Sequence, residues 1–532
     1  MVNGVKKEKY QIFRVASEFH AWFDGNKKFA FFAALLIGCA THYLQLVNQY
    51  LSQDGIAFSI LYSAGNFETS VGRWGIDAVD SIRQNASATA WVTVMCLVLM
   101  AMGIVLIVDL LQIQHKFSVL FLAAAFMTAP SFLVTMLYSY CADAYMISFV
   151  CAILSVYCME RIRVKAVAVI ASALCMMLSL AIYQNYAGIA VGLYLIMILQ
   201  DLLKKEESVK EIFKRACCYL CEVICGGVLY YAVSKIIWTV MDITPSGKGG
   251  IGNLSLISIL TNLKVAGEDT FAAFVDYFFS DDIISNTNWH REKLYLVLFI
   301  VIALSLILII WKKKIYREPL RLIFIAFCVA AFPFAVNAIF LLIPGGGVYS
   351  LNAMQMVLVF PLLFVVLEND GLAEALIIPW CGVLISAVLM FTYYSSDIFS
   401  YEYLEIAYDQ MGALTNRVID RMENTEGYYP GMPCTIVGIP SQENYPIDGV
   451  FRKYGVGDIL DKPLFHGDYN GSLACWRKFA ILYAGENLQM SEYTGIIGTD
   501  EFKQMGIYPA ENSVQIINGI MTVKFTEDPV LP

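Results

Sequence analysis

Nearly charge-free apolar runs of about 16 to 25 residues alternate with polar loops through residues 29–394. Wound as helix, a run of that length crosses a bilayer core about 30 Å thick. Eleven spans are predicted: Phe29–Val47, Ala90–Gln112, Phe117–Tyr138, Ala144–Met159, Val164–Tyr183, Tyr186–Leu203, Ala216–Val240, Leu294–Trp311, Leu322–Ile343, Ala353–Leu367 and Leu372–Tyr394. The pattern specifies a polytopic α-helical membrane protein. The fourth and tenth runs are short, and the sixth follows the fifth almost without a loop. Residues 1–28 are mostly polar, and the first run is too long for the core of a cleavable signal peptide.

The loops differ in charge. One alternating set holds about twenty Lys and Arg, among them Lys27, Lys116, Arg161, Lys204, Arg215, Lys312 and Arg321; the other holds six (Arg73, Arg83, Lys248, Lys264, Arg291 and Lys293). The basic set reads as cytosolic, with residues 1–28, and an odd span count puts the carboxy terminus outside. The loop Glu368–Glu374 breaks the rule: its position is cytosolic, yet it carries no Lys or Arg.

Two outer loops are long. In the first, at 50–88, Trp74, Ala78, Val79 and Ile82 recur at helical spacing opposite Asp77, Asp80 and Arg83, which predicts a helix lying in the interface. The other, at 241–291, opens with the turn-rich Pro245–Gly250 and continues into Phe-rich stretches (Phe271, Phe274, Phe278, Phe279) that also read as interfacial. A third outer loop is Pro344–Tyr349. Residues 395–532 change composition. Glu402–Met422 and Ser472–Tyr483 read as helices, Cys434–Ile439 as a strand, and Ser513–Phe525 as a hairpin turning at Asn518-Gly519. A small α/β domain outside the membrane is expected there.

Composition narrows the function. Across 532 residues, 58% are hydrophobic and only 15% charged, at a net charge of −9. The acidic balance and the lack of a basic stripe exclude a nucleic-acid partner. No loop carries GxxxxGK[ST] to cradle a nucleotide. Most of the fourteen cysteines lie in apolar runs, where they act as small hydrophobes. A disulfide between Cys434 and Cys475 stays open.

The candidate chemistry gathers in the outer loops. Asp54, just past the first span, is either a solvated loop acid or a carboxylate held where a lipid-borne substrate meets water. Arg73 and Trp74 lie between glycines, as a belt-anchored turn or as a phosphate-binding fork. Asp143, in Tyr138–Asp143, and Tyr183-Gln184-Asn185-Tyr186 occupy two short outer turns, and their carboxylate, amide and aromatic groups suit a sugar. His290 and Arg291, near Asp281 and Asp282, form a weaker group. His20, His42, His115 and His466 have no obvious partners.

An acid after the first span, Gly72-Arg73-Trp74 about twenty residues on, Tyr183-Gln184 after a later span, and Tyr401–Met422 with Ala407, Asn416, Arg417 and Ile419 resemble the bacterial type II O-antigen glucosyltransferases. That family is similar in plan to the GT-C glycosyltransferases. The resemblance implies a multi-pass enzyme of the bacterial plasma membrane that takes a sugar from undecaprenyl phosphate and gives it to an envelope glycan on the outer face. It implies Asp54 as catalytic base. Arg73 and Arg291 are expected at the donor phosphate, and Trp74, Asp77, Asp143, Tyr183, Gln184 and Tyr186 at sugar or acceptor. Thr270–Ser280 would line the prenyl-tail groove. Relatives often carry two adjacent acids where this chain has Gln53-Asp54, so no cofactor is firmly implied and a divalent metal is left open. Two alternatives remain at this stage: a transporter or flippase of lipid-linked sugar, for which Asp109, Glu222 and Lys235 are the buried-charge candidates, and a polymerase-type assembly protein.

Overall fold

The computed structural model describes residues 17–58, 63–246, 256–280, 291–342, 348–375, 377–438, 469–491 and 495–527. The turn residues Gly247–Gly250, the loop Pro344–Gly347, and Asp281, Asp282, His290 and His466 lie outside them.

Each of the eleven apolar runs is helical over most of its described length. The first forms α1 (Asn26–Thr41) and α2 (Tyr43–Asn48), broken at His42. His42 is buried; its Nε2 donates to the Met127 carbonyl (2.7 Å) and its Nδ1 accepts from the Tyr401 hydroxyl (2.8 Å). Three loop helices follow: α3 (Gln53–Ala57), α4 (Asn66–Ser70) and α5 (Gly75–Ile82). Then come α6 (Thr89–Leu110), α7 (Lys116–Met127), α8 (Pro130–Leu137), α9 (Ala142–Arg161), α10 (Lys165–Ile182), α11 (Ala187–Lys204) and α12 (Val209–Val240). Pro130, which lacks a backbone donor, sits at the 40° bend between α7 and α8. The Phe-rich stretch is one helix, α13 (Leu256–Phe279), with Phe274 and Phe278 buried and Phe271 exposed. The last membrane helices are α14 (Arg291–Lys312), α15 (Pro319–Val336), α16 (Val359–Leu367) and α17 (Ile377–Glu423).

Among the described residues, eight helices are long and apolar enough to cross a bilayer, or nine with the bent α7–α8 pair as one span. Two expected spans fall short by that measure. α1 has 16 residues, and α16 has nine, preceded by 3-10 turns.

The bundle has two chemically distinct ends. At one, Lys27 and Arg161 pair with Asp109, Arg215 with Asp201 and Glu207, and Lys205 with Glu318. The loop after α16 belongs to this end: Asp370 pairs with Lys313, Glu374 with Lys312, and Glu368 accepts the Gln114 and His115 amides. The loop lacks Lys and Arg because its acids face basic residues of its neighbours. At the opposite end lie Asp54, Arg73, Arg83 and Asp143.

α17 joins the two ends. Its 47 residues rise about 70 Å at 1.5 Å each, far beyond one bilayer crossing. It runs unbroken through Ser395, so the compositional change there is a helix leaving the apolar layer rather than a break in secondary structure. It leads into a sheet of β1 (Pro433–Val437), β2 (Gln489–Met490), β3 (Val514–Ile517) and β4 (Ile520–Lys524), in the order β2-β1-β4-β3. β3 and β4 form the expected hairpin, with Asn518 and Gly519 both at positive φ. β1 runs parallel to β2 and β4, and α18 (Tyr469–Phe479) packs beside them. Cys434 and Cys475 are both buried and form no disulfide, so the pairing left open by the sequence does not form.

The core of this domain includes Leu51 and Ile56, which flank Asp54. The domain therefore sits on the Asp54 end of the bundle, opposite the ion-paired end.

Candidate active site

The site grows from the turn between α8 and α9. Asp54 is half-buried on α3. Ser52 caps that helix by accepting the Gly55 amide (3.2 Å), and its own amide donates to the Leu137 carbonyl (3.1 Å). Gly55 permits this approach, because a Cβ there would collide with the same carbonyl. Phe58 meets the Tyr140 ring at 5.0 Å, and Asp54 acts electrostatically on the Tyr140 hydroxyl. The acid is thus fixed against the 137–141 turn.

Arg83 occupies the other side of that turn. Its guanidinium pairs with Asp80 and with Asp143 (3.2 Å) and donates to the carbonyls of Tyr140 (2.7 Å) and Ser139 (3.5 Å). Asp80 also accepts the Ala64 amide (2.8 Å). One cation serves two buried acids. Burial and, to a lesser degree, Asp143 push the Asp80 carboxyl up to about 6, against the opposing pull of Arg83.

Arg73 lies in the tight turn made by Gly72, whose φ of 80° suits glycine. Its Nε donates to Gln184 Oε1 (3.3 Å), its Nη1 to the Tyr145 hydroxyl (3.2 Å), and its guanidinium stands 5.0 Å over the Tyr183 ring. Tyr183 stacks on Tyr145 at 4.2 Å. The Gln184 amide donates to the Val71 carbonyl and the Tyr230 hydroxyl, both at 3.0 Å. One face of α12 braces the loop at four-residue spacing: Tyr230 donates to Gly72 O, Ser234 accepts from Trp74, and Trp238 donates to Thr69 O.

The expected residues divide accordingly. Asp54, Arg73, Asp143, Tyr183 and Gln184 gather at one end of the bundle around two neighbouring turns. Asp143 is engaged by Arg83, Gln184 is hydrogen-bonded through both its oxygen and its nitrogen, and Trp74 is turned to Ser234. Tyr186 is fully buried against Tyr183 and Phe149. Asp77 is exposed on α5, away from these contacts. Arg291 belongs to a different buried group, donating to Thr392 O (3.0 Å) and Ser396 beneath Tyr393.

The expected face of α5 is rotated. Ile76, Val79 and Asp80 are buried, whereas Ala78 is exposed and Ile82 is 85% exposed. Pairing of Asp80 with Arg83 and the Ala64 amide turns the acid inward. Asp80, Arg83, Tyr145 and Tyr230 were not among the expected site residues; the i,i+3 spacing of Asp80 and Arg83, with Asp143 on a neighbouring turn, was the available signal. Asp109 pairs with two bases, Glu222 accepts from Tyr194 (3.0 Å), and Lys235 lies over Tyr231. Among the described residues, no set of three or more His, Cys, Asp or Glu is placed to hold a metal ion.

A family profile described as Glucosyl transferase GtrII matches residues 43–366. No curated protein and no solved structure matches the chain. The profile match covers well over half of the sequence and takes in Asp54, Arg73, the turns at 138–143 and 183–186, and the helices α2 to α16 that carry them. The chain belongs to the GtrII glucosyltransferase family.

Proposed function

We propose that the protein transfers glucose, or a similar hexose, from a polyprenyl-phosphate sugar to an envelope glycan, with inversion, on the outer face of the bacterial plasma membrane. The observation that carries this reading is the guanidinium of Arg73, aligned by Gln184, Tyr145 and Tyr183 at the same end of the bundle as Asp54. In this reading eleven segments cross, the ion-paired basic end is cytosolic, and the carboxy-terminal domain, from 395 on, is extracytoplasmic.

The acceptor oxygen attacks the anomeric carbon while the bond from that carbon to the phosphate oxygen breaks. The electron pair leaves with the phosphate, and the acceptor proton passes to Asp54. Phosphate is already a good leaving group, so no second carboxyl is needed as general acid, unlike most glycoside hydrolysis. A positioned base contributes about 10²–10⁴ in rate. Arg73 opposes the charge that grows on the phosphate, a type of contact worth about 10²–10³. Tyr183 and Gln184 orient Arg73, while Trp74, Asp143 and Tyr186 support the two turns from behind through Ser234, Arg83 and Tyr183. Arg291 holds α14 to α17 in this reading, and Arg73 alone meets the donor phosphate.

A cavity of about 300 Å³ between α11, α13, α14 and α15 has Leu199, Phe274, Phe299, Leu306 and Phe332 in its largely apolar lining. We assign it to the isoprenoid tail of the donor, next to the Phe-rich end of α13.

The test is transfer by the purified protein in proteoliposomes, from synthetic polyprenyl-phosphate glucose to a glycan acceptor. One hexose added with inverted anomeric configuration supports the reading. Retained configuration, addition of whole repeat units, or lipid-linked sugar crossing the bilayer without transfer would refute it.

A further inference from the structure

α3 is five residues long, too short to hold a helical turn by itself. Its membrane side is fixed by Leu137. Its other side meets α17 and the carboxy-terminal domain. The Tyr408 hydroxyl, on α17, accepts from the Leu51 amide (2.9 Å) and donates to the Leu51 carbonyl (3.2 Å). Both backbone polar groups of a residue three positions before Asp54 are therefore satisfied by one side chain from the far end of the chain. The Tyr408 ring packs against Tyr50 (5.5 Å) and Phe479 (5.1 Å). Phe479 and Trp476 lie on α18, which packs directly on α3. Leu51 and Ile56, 5% and 4% exposed, are buried with Trp476, Phe479 and Met411 rather than in the membrane core.

We propose that Tyr408 is a positioning residue for Asp54, and that the carboxy-terminal domain acts as the clamp that keeps this acid within reach of the acceptor hydroxyl. The inference rests on Asp54 being the base. Tyr408 makes and breaks no bond in the reaction. Its hydroxyl removes the freedom of the Leu51 peptide, and so fixes where the next helical turn places its carboxylate. A displacement of about 1 Å at a reacting group costs on the order of 10²-fold in rate.

Tyr408→Phe keeps the ring between Tyr50 and Phe479 and removes only the hydroxyl. The expected result is a fall in kcat of about 10- to 100-fold with little change in donor KM. Faster amide exchange across residues 51–58 should accompany it, read by mass spectrometry on the full-length protein. In an Asp54→Asn background the same substitution should cause no further loss, because its effect passes through the carboxylate. Wild-type kcat and exchange in Tyr408→Phe would overturn the inference, as would a loss that multiplies with that of Asp54→Asn. Those outcomes leave the base reading intact as long as Asp54→Asn alone slows transfer by about 10²–10⁴. If Asp54→Asn turns over like wild type, the base reading fails first and the clamp has no acid to serve.

Discussion

Replacing Arg83 by Met is a severe perturbation that the structure allows to be sized. The guanidinium is 7% exposed and lies between Asp80 and Asp143, which are 0% and 4% exposed. Met roughly preserves the stem but leaves two buried carboxylates with no cation between them and frees the Tyr140 and Ser139 carbonyls. Breaking a buried pair from one side costs about 3–5 kcal/mol, because the stranded charge keeps its desolvation penalty. With Arg83 gone, only protons neutralise the two acids, so the loss should grow with pH by up to ~1.4 kcal/mol per pH unit for each group. The buried free thiols Cys96, Cys141 and Cys328 supply the assay: a thiol-reactive fluorophore reports their exposure as the detergent-solubilised protein is heated. Arg83→Met should unfold well below wild type at pH 8 and closer to it at pH 5. Adding Asp80→Asn and Asp143→Asn should recover most of the loss, since a neutral buried set no longer needs the cation. A midpoint within about 1 °C of wild type at pH 8 would refute the claim that this ion group ties the 50–88 loop to the α8–α9 turn, as would failure of the triple substitution to recover.

Two further outcomes follow from the same geometry. The Asp80 carboxyl, pushed up to about 6 chiefly by burial, binds a proton more tightly in the folded than in the unfolded chain. Its stabilising term is present in full below about pH 4 and lost as pH rises through about 6. Thermal midpoints of Asp80→Asn and wild type measured from pH 4 to 8 should therefore shift relative to one another in favour of Asn as pH rises, and a gap independent of pH would contradict the assignment. Leu306→Trp fills part of the apolar cavity beside Phe299 and Phe332. It should raise KM for long-chain polyprenyl donors and leave KM for short-chain analogues near wild type, whereas equal effects on both chain lengths would remove the cavity from the donor path.

The membrane helices were legible because a charge-free run of that length has few alternatives to crossing. The basic loops separated the two ends for the same reason, and the exception at 368–374 resolves once Asp370 and Glu374 are seen against Lys313 and Lys312. The hairpin was readable from Asn518-Gly519, where local turn chemistry decides the fold. Three features were not legible. The first apolar run breaks at His42, whose partners Met127 and Tyr401 are distant in sequence. The orientation of α5 was misjudged because a polarity pattern sends Asp80 outward, while a tertiary partner holds it inside. α17 was divided at Tyr394 because its surroundings change there although its backbone does not. Within the site, alternation of the spans places Asp54, Arg73, Asp143, Tyr183 and Gln184 at one end. It carries no information on what braces them, since Tyr145, Tyr230 and Tyr408 come from three separate helices. No local period marks these tyrosines as different from other buried ones.

The central claim is that Asp54 removes the acceptor proton in a sugar transfer assisted by Arg73. Single-turnover transfer from polyprenyl-phosphate glucose by Asp54→Asn tests it most directly, because Asn keeps the size of the side chain and its place on α3 while losing the ability to take up a proton. The account predicts that donor binding survives and that the chemical step slows by about 10²–10⁴. A chemical step at the wild-type rate would contradict it.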